Sequence, residues 1–177
     1  MRSSLSDFLT TIDGHRREVP LGELSRLLVD VDVDLSRLGP YLRFHPERYQ
    51  RNLLCGGDAY HALLLCWRAG QRSPIHDHRG SNCAFRVLRG VATESTFERT
   101  STGLVYPVES RRLTPGRVCA SSDSDIHQVS NLEPSEDLVT LHVYSPPLLV
   151  MGQYTLMTGV VSDFIDPVFE FSSGSGI

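Results

Sequence analysis

From about Tyr49 onward the chain is a succession of short β-rich runs separated by turn residues, and that pattern narrows the possible fold most. The runs are 51–55, 59–67, 83–88, 91–97, 105–110, 118–120, 126–129, 138–144 and 154–161. Gly56-Gly57, Gly70, Gly90, Pro115-Gly116 and Pro146-Pro147 punctuate them. Glycine supplies backbone angles that other residues avoid, and proline removes a ladder donor, so these positions mark strand ends. Many short strands with frequent turns predict a mainly β protein, a barrel or jelly roll. Residues 1–45 read differently. Leu24, Leu27, Leu28 and Val31 recur at helical spacing behind Pro20, and a shorter helix over 34–38 is expected to stop at Gly39-Pro40. The simplest organisation is one domain over 1–177, with helices packed outside a barrel over 49–171 and a fraying Ser/Gly tail at 172–177.

Composition sets outer limits. The 177 residues suffice for one ordinary core, and 40% apolar with 21% charged residues describes a soluble globular chain. A net charge of −4 without a basic run argues against nucleic-acid binding. No apolar stretch reaches membrane-spanning length, and the start M-R-S-S-L-S-D-F-L, with an acidic residue early, lacks a secretory leader's apolar region. A cytoplasmic protein with no membrane partner is expected, with a monomer as the default. Cys55, Cys66, Cys83 and Cys119 show no C-x-x-C spacing, so free thiols are expected.

The chemistry starts at S-P-I-H-D-H-R-G. His76 and His78 are two apart, so on a strand both rings point to one face and can share a metal ion. His127, in D-I-H-Q-V-S-N, lies in a second strand-like run. Asp77 would point to the opposite face, as a supporting or solvent residue rather than a ligand. Three neutral imidazoles would leave the full 2+ charge on a metal ion, favouring anionic ligands such as a thiolate. Zinc also accepts three histidines, so ligand count alone does not choose the metal. Along 138–144, Thr140, His142 and Tyr144 share one strand face, with Val139, Leu141 and Val143 on the other. Such a polar face flanked by apolar residues suits a lined cavity better than open solvent.

Spacing extends the histidine pair into a recognisable frame. Gly70 precedes His76 by six, Cys83 follows His78 by five, and Gly90 follows Cys83 by seven. This resembles the first cupin motif, with Cys83 where a glutamate ligand usually stands. His127 and Asn131 match the end of the second cupin motif, while Ser122 and Ser124 depart from its upstream proline and glycine. The fold this resemblance implies is a cupin-type jelly-roll β-barrel with N-terminal α-helices packed outside.

A narrower resemblance rests on L-L-L-C-W-R-A-G-Q-R-S-P-I-H-D-H, Cys83, R-Y-Q-R-N-L at 48–53 and T-L-H-V-Y-S-P-P at 140–147. Together these are similar to cysteine dioxygenase. The resemblance implies Fe(II) held by His76, His78 and His127, with L-cysteine and O2 as substrates and cysteine sulfinic acid as product. It implies Arg51 as the partner of the substrate carboxylate, Tyr49 in support, and Leu65 and Trp67 as pocket walls. It places Cys83 and Tyr144 where the family carries a thioether crosslink, with His142 and Thr140 as a relay behind Tyr144 and a cis peptide at Ser145-Pro146. Taken alone, Trp67 reads as a core residue, Cys83 as a buried small hydrophobe and Arg51 as a surface arginine. His15, His45 and His61 match nothing and are expected to be structural or exposed. Open alternatives are 3-mercaptopropionate as substrate, a zinc hydrolase or lyase, and a non-enzymatic ligand-binding cupin.

Overall fold

The computed structural model describes residues 3–170. Two helices come first, α1 (Leu5–Asp13) and α2 (Leu21–Asp30), flanked by a small parallel pair, β1 (Ser3–Ser4) and β2 (Val31–Asp32). Ser4 caps α1 in a reciprocal box. Its hydroxyl accepts from the Asp7 amide at 3.1 Å, and its own amide donates to the Asp7 carboxylate at 3.3 Å. Phe8 and Ile12, four apart, form the buried stripe of α1, and Leu24, Leu27 and Leu28 that of α2. Residues Leu35–Tyr41 form tight 3-10 turns with a kink at Leu38. The helix expected over 34–38 is therefore of this tighter kind, and it runs on past Gly39-Pro40. The Asp34 side chain caps it by accepting from the Ser36 amide at 3.0 Å.

Twelve further strands build two six-stranded sheets. They are β3 (Gln50–Gly56), β4 (His61–Trp67), β5 (Ile75–His76), β6 (Asn82–Arg89), β7 (Ala92–Arg99) and β8 (Val105–Leu113). There follow β9 (Val118–Ser121), β10 (Ile126–Ser130), β11 (Leu138–Ser145), β12 (Met151–Tyr154), β13 (Ser162–Phe164) and β14 (Val168–Phe169). One sheet has the order β13-β12-β5-β10-β7-β8 and the other β14-β3-β4-β11-β6-β9. The mainly β jelly roll with helices outside is thus what the chain forms.

The period-two pattern of β11 positions everything else. Its apolar face, Val139, Leu141 and Val143, is covered by the helices and joins Phe8, Ile12, Leu24 and Leu28 in one core. Its other face, Thr140, His142 and Tyr144, turns into the space between the sheets, beside a second core containing Leu63, Leu65, Trp67 and Phe85. Arg86 ties the two layers together. From β6 its Nη1 donates to the carbonyls of Leu28, Val29 and Val31 at 2.7, 2.8 and 2.8 Å, satisfying acceptors that the end of α2 leaves open. Gly90 has φ +75°, and a Cβ there would lie 2.7 Å from the Asp137 carbonyl oxygen, so the β6–β7 turn requires glycine.

The run 154–161 does not form one strand. Tyr154 ends β12, and the chain turns away before β13. The Thr155 hydroxyl accepts from the amides of Met157 and Thr158 at 3.3 and 3.1 Å, a local turn that takes these amides from any ladder. The tail expected to fray at 172–177 lies outside the described residues.

Candidate metal centre

Register brings the histidines together. His76 on β5 lies directly opposite His127 on β10. His78 arrives by another route than strand alternation. β5 ends at His76, and the chain turns through Arg79 (φ +41°) and Gly80 (φ +90°) immediately after His78. One ring nitrogen from each histidine lies within 4.8 Å of the others, and all three side chains are buried. No carboxylate or thiol joins this group among the described residues.

Each ring is held from behind through Nδ1. His76 Nδ1 is 3.0 Å from the Pro74 carbonyl oxygen, His78 Nδ1 is 3.4 Å from that of Ser122, and His127 Nδ1 is 2.9 Å from the Glu94 carboxylate. Nε2 of His78 and of His127 is buried without a hydrogen-bond partner. Buried polar atoms rarely stay unpaired, so orphaned nitrogens converging on one point are what a metal ion would satisfy. Burial, then the repulsion of its histidine neighbours, pushes the His76 pKa well below the ordinary value; burial and His127 push that of His78 down to about 3. Both therefore stay neutral at neutral pH, as ligands must be.

Glu94 is the carboxylate that the donor set lacks, placed one hydrogen bond further out. It accepts from His127 Nδ1, from Arg111 Nε at 2.8 Å and from the Cys119 thiol at 3.0 Å. Burial pushes the Glu94 carboxyl up, but the hydrogen bonds from His127, Cys119 and Arg111 outweigh it and hold the group at about 2. Burial and Glu94 push the Cys119 thiol up to about 12, so it keeps its proton to donate. An ionised carboxylate behind a ligating histidine fixes the ring's tautomer and makes it a stronger base.

Tyr144 and Cys83 face each other across the β11–β6 pair. Both are buried, and burial pushes the phenol and the thiol well above their ordinary values. Behind Tyr144, its hydroxyl is 3.2 Å from His142 Nδ1, His142 Nε2 is 3.0 Å from the Thr140 hydroxyl, and Trp67 Nε1 donates to Thr140 at 3.0 Å. The Ser145-Pro146 peptide is cis.

Tyr49, Arg51, Leu65 and Trp67 line one small cavity with His76, His127, His142 and Tyr144. His78, Cys83 and Thr140 are not among its lining residues. Tyr49 stacks on Trp67, with ring centroids 4.2 Å apart. The Arg51 guanidinium carbon is 5.4 Å from the centre of the Tyr144 ring, and its Nη2 is buried without a partner. Arg51 Nη1 donates to the backbone carbonyl of Asp166 at 2.8 Å, and the Tyr49 hydroxyl donates to the Asp166 carboxylate. Burial raises the Asp166 carboxyl above its ordinary value against the pull of Arg51.

Three residues here escaped sequence reasoning or gained a sharper role. Glu94 and Asp166 are isolated acids in unremarkable runs, and only tertiary pairing brings them to the site. Asp77 does point away from the histidines. Its carboxylate accepts from the Gly152 amide at 2.8 Å and the Tyr154 hydroxyl at 2.6 Å, pinning the metal loop to β12. A Cβ at Gly152 would lie 2.5 Å from that carboxylate, so glycine is required there.

Two facing sheets with three inward histidines define the class: a cupin barrel built to bind a metal ion. Solved structures with this fold include a Thermus thermophilus protein, 24% identical with a TM-score of 0.53 over 66% of this chain and 97% of that one. A conserved protein with a double-stranded beta-helix domain from Klebsiella pneumoniae is 14% identical, also with a TM-score of 0.53, over 76% of this chain and 89% of that one. The family model for cysteine dioxygenase type I matches residues 7–156. Cysteine dioxygenase type 1 of Homo sapiens is 32% identical over 148 residues, 80% of this chain and 73% of the human one. The Rattus norvegicus protein is 31% identical over 147 residues, again 80% and 73%. The chain belongs to the cysteine dioxygenase type I family and is an enzyme of the dioxygenase class.

Proposed function

We propose that this protein converts L-cysteine and O2 to cysteine sulfinic acid at a mononuclear Fe(II) site held by His76, His78 and His127. The observation that carries this reading is the convergence of buried, neutral imidazoles, two with orphaned Nε2 atoms, beside a buried arginine with an unpaired nitrogen. When bound, Fe(II) with only neutral protein ligands would supply the positive charge that holds a thiolate and the electrons that activate O2.

The chain's own residues do the rest. Arg51 Nη2 donates to the substrate carboxylate and fixes which end of the molecule faces the histidines. Leu65, Trp67, Val129 and Met151 wall the cavity and keep bulk water from the reacting sulfur. Trp67 is only a donor, so it fills an acceptor position on Thr140, whose hydroxyl hydrogen is directed at His142 Nε2. His142 then carries its proton on Nδ1 and donates to the Tyr144 oxygen. The Tyr144 hydrogen, which the Cys83 sulfur can also accept, then turns into the cavity to orient bound ligands. Both oxygen atoms of O2 end on sulfur, which balances as thiol plus O2 to sulfinic acid with no external reductant.

The same reading includes a thioether between the Cys83 sulfur and the Tyr144 ring. Its formation removes two protons and two electrons, which O2 takes up as it is reduced to hydrogen peroxide. The direct cross-strand pairing of the two residues supports it. We further read the chain as one domain acting as a cytoplasmic monomer; no described helix is long and apolar enough to cross a membrane. The test is O2 uptake by Fe(II)-loaded protein with L-cysteine, with sulfinate identified by mass. Stoichiometric zinc in protein purified without added metal, together with no thiol-dependent uptake, would overturn it. A higher kcat/KM for 3-mercaptopropionate would move the substrate assignment to that thiol.

A further inference from the structure

The chain of contacts that begins at His127 does not stop at Glu94. On β8, Arg111 lies directly opposite Glu94 of β7, so both side chains stand on the face that looks between the sheets. β8 ends one sheet and β9 ends the other. Arg111 Nε and Nη2 both donate to Glu94 Oε2, at 2.8 and 2.7 Å, and Nη2 lies 3.1 Å from the Cys119 sulfur on β9. The guanidinium thus bridges the two sheets along their open edge.

The two oxygens of Glu94 serve different partners. Oε1 faces His127 Nδ1 at 2.9 Å, and Oε2 takes both hydrogens from Arg111. The Cys119 thiol lies across the two, at 3.0 and 3.1 Å. The Glu94 side chain is 1% exposed and that of Arg111 47%, so the cation reaches water on its far side. A buried carboxylate with no cation would pull hard on the Nδ1 hydrogen and make the opposite ring nitrogen a stronger donor to a metal ion. A guanidinium bound to the same carboxylate takes up part of that pull. Its own positive charge also disfavours a trivalent ion nearby more than a divalent one.

We propose that Arg111 is a positioning residue for the metal centre: by holding one oxygen of Glu94 it limits the negative charge that reaches His127, and so favours divalent over trivalent iron at the three histidines. This rests on the reading that those histidines hold iron, but not on turnover. The divalent ion is the form that can give electrons to O2, so the arginine protects the resting state of the site.

The experiment is an anaerobic redox titration of the iron-loaded full chain without thiol, followed by the electron paramagnetic resonance signal of Fe(III). Arg111→Met keeps an apolar stem and removes the charge and its donors. At a given potential it should raise the ratio of Fe(III) to Fe(II) about tenfold, a fall in midpoint of about 59 mV for one electron. Arg111→Gln, which keeps a neutral donor, should move the midpoint in the same direction. Arg111→Lys restores the charge and should return most of the shift. Thermal melting of the metal-free variants establishes that each is folded. A bracing role alone would loosen Fe(II), measured by competition with a chelator, without lowering the midpoint. That result, a midpoint raised in the folded neutral variants, or a shift that Arg111→Lys fails to reverse would each overturn the proposal. A native protein that binds no Fe(II) would overturn it together with the proposed reaction. Absence of O2 uptake by protein whose midpoint responds as expected would sink the reaction alone.

Discussion

Nδ1 of His127 and the carboxylate of Glu94 lie 2.9 Å apart, both buried, so the negative charge absent from the three-histidine set sits directly behind one of its members. With a metal ion held by the three histidines, the arrangement would supply a compensating charge without adding a fourth protein ligand. Glu94→Gln keeps the shape and removes the charge. Loss of such a partner behind a ligating histidine typically costs 10–100-fold in metal affinity or activity. We expect Fe(II) to be held about 10–100-fold more weakly by Glu94→Gln, as measured by competition with a chelator. Unchanged affinity would mean that Nδ1 of His127 needs only an acceptor and no charge.

Arg51 is expected to act on substrate and leave the metal alone, because it contacts Asp166 and the cavity and none of the three histidines. Removing a charge-assisted hydrogen bond costs about 1.5–3 kcal/mol, which is roughly 10–100-fold in kcat/KM. Arg51→Ala should lose that much with L-cysteine while retaining its iron by metal analysis. The variant should also melt lower, since the Asp166 carboxylate stays buried without its cation. Loss of iron in Arg51→Ala would show that the residue supports the metal site instead.

Which parts of this site could be read from the chain follows from how local each relationship is. Thr140, His142 and Tyr144 are legible because strand alternation alone puts them on one face, and the apolar residues between them name the face that the helices cover. His76 and His78 are legible for the same reason, although the chain delivers His78 from the turn after β5. Glu94 is not legible, since nothing in T-E-S-T-F tells an inward acid from a solvated one. Only the β10–β7 register, with Val129 opposite Glu94, brings it to His127. Asp166 depends on pairing across still more of the chain, between β14 and β3. The misread run 154–161 failed on turn chemistry, because the Thr155 hydroxyl captures amides that a strand would have offered to a neighbour.

The cross-strand pairing of Cys83 with Tyr144 makes a specific prediction about covalent state. Fe(II)-loaded protein turned over with L-cysteine in air should develop a species that migrates faster on a denaturing gel and is two mass units lighter. Cys83→Ser should never form it yet should keep part of its activity, because the Thr140–His142–Tyr144 relay is untouched. A crosslinked species that persists in Cys83→Ser would name another partner for the tyrosine.

The metal-free fold should weaken as pH drops through the range in which unfolded histidines charge. Burial lowers the pKa of His76, His78 and His142 in the folded protein, that of His78 to about 3. An unfolded histidine takes up its proton near 6.5, so between there and the folded value the unfolded chain binds more protons. The folded state is then disfavoured by about 1.4 kcal/mol per histidine per pH unit. For His78 the window runs from pH 6.5 down to about 3. The two acids act in opposite senses. Glu94 loses its contribution only between its ordinary 4.5 and about 2, and Asp166, with its folded value raised, favours the fold as pH falls toward 3.8. Between pH 7 and 5 the histidines therefore weaken the metal-free fold, and the raised Asp166 carboxyl opposes them. His76, His78 and His142 alone should bring the loss at pH 5.5 to ~4 kcal/mol, roughly 10 °C for a chain of this size, and the lowered pKa of His61 adds to it. A melting temperature that stays flat over that interval would mean that these histidines take up protons inside the fold.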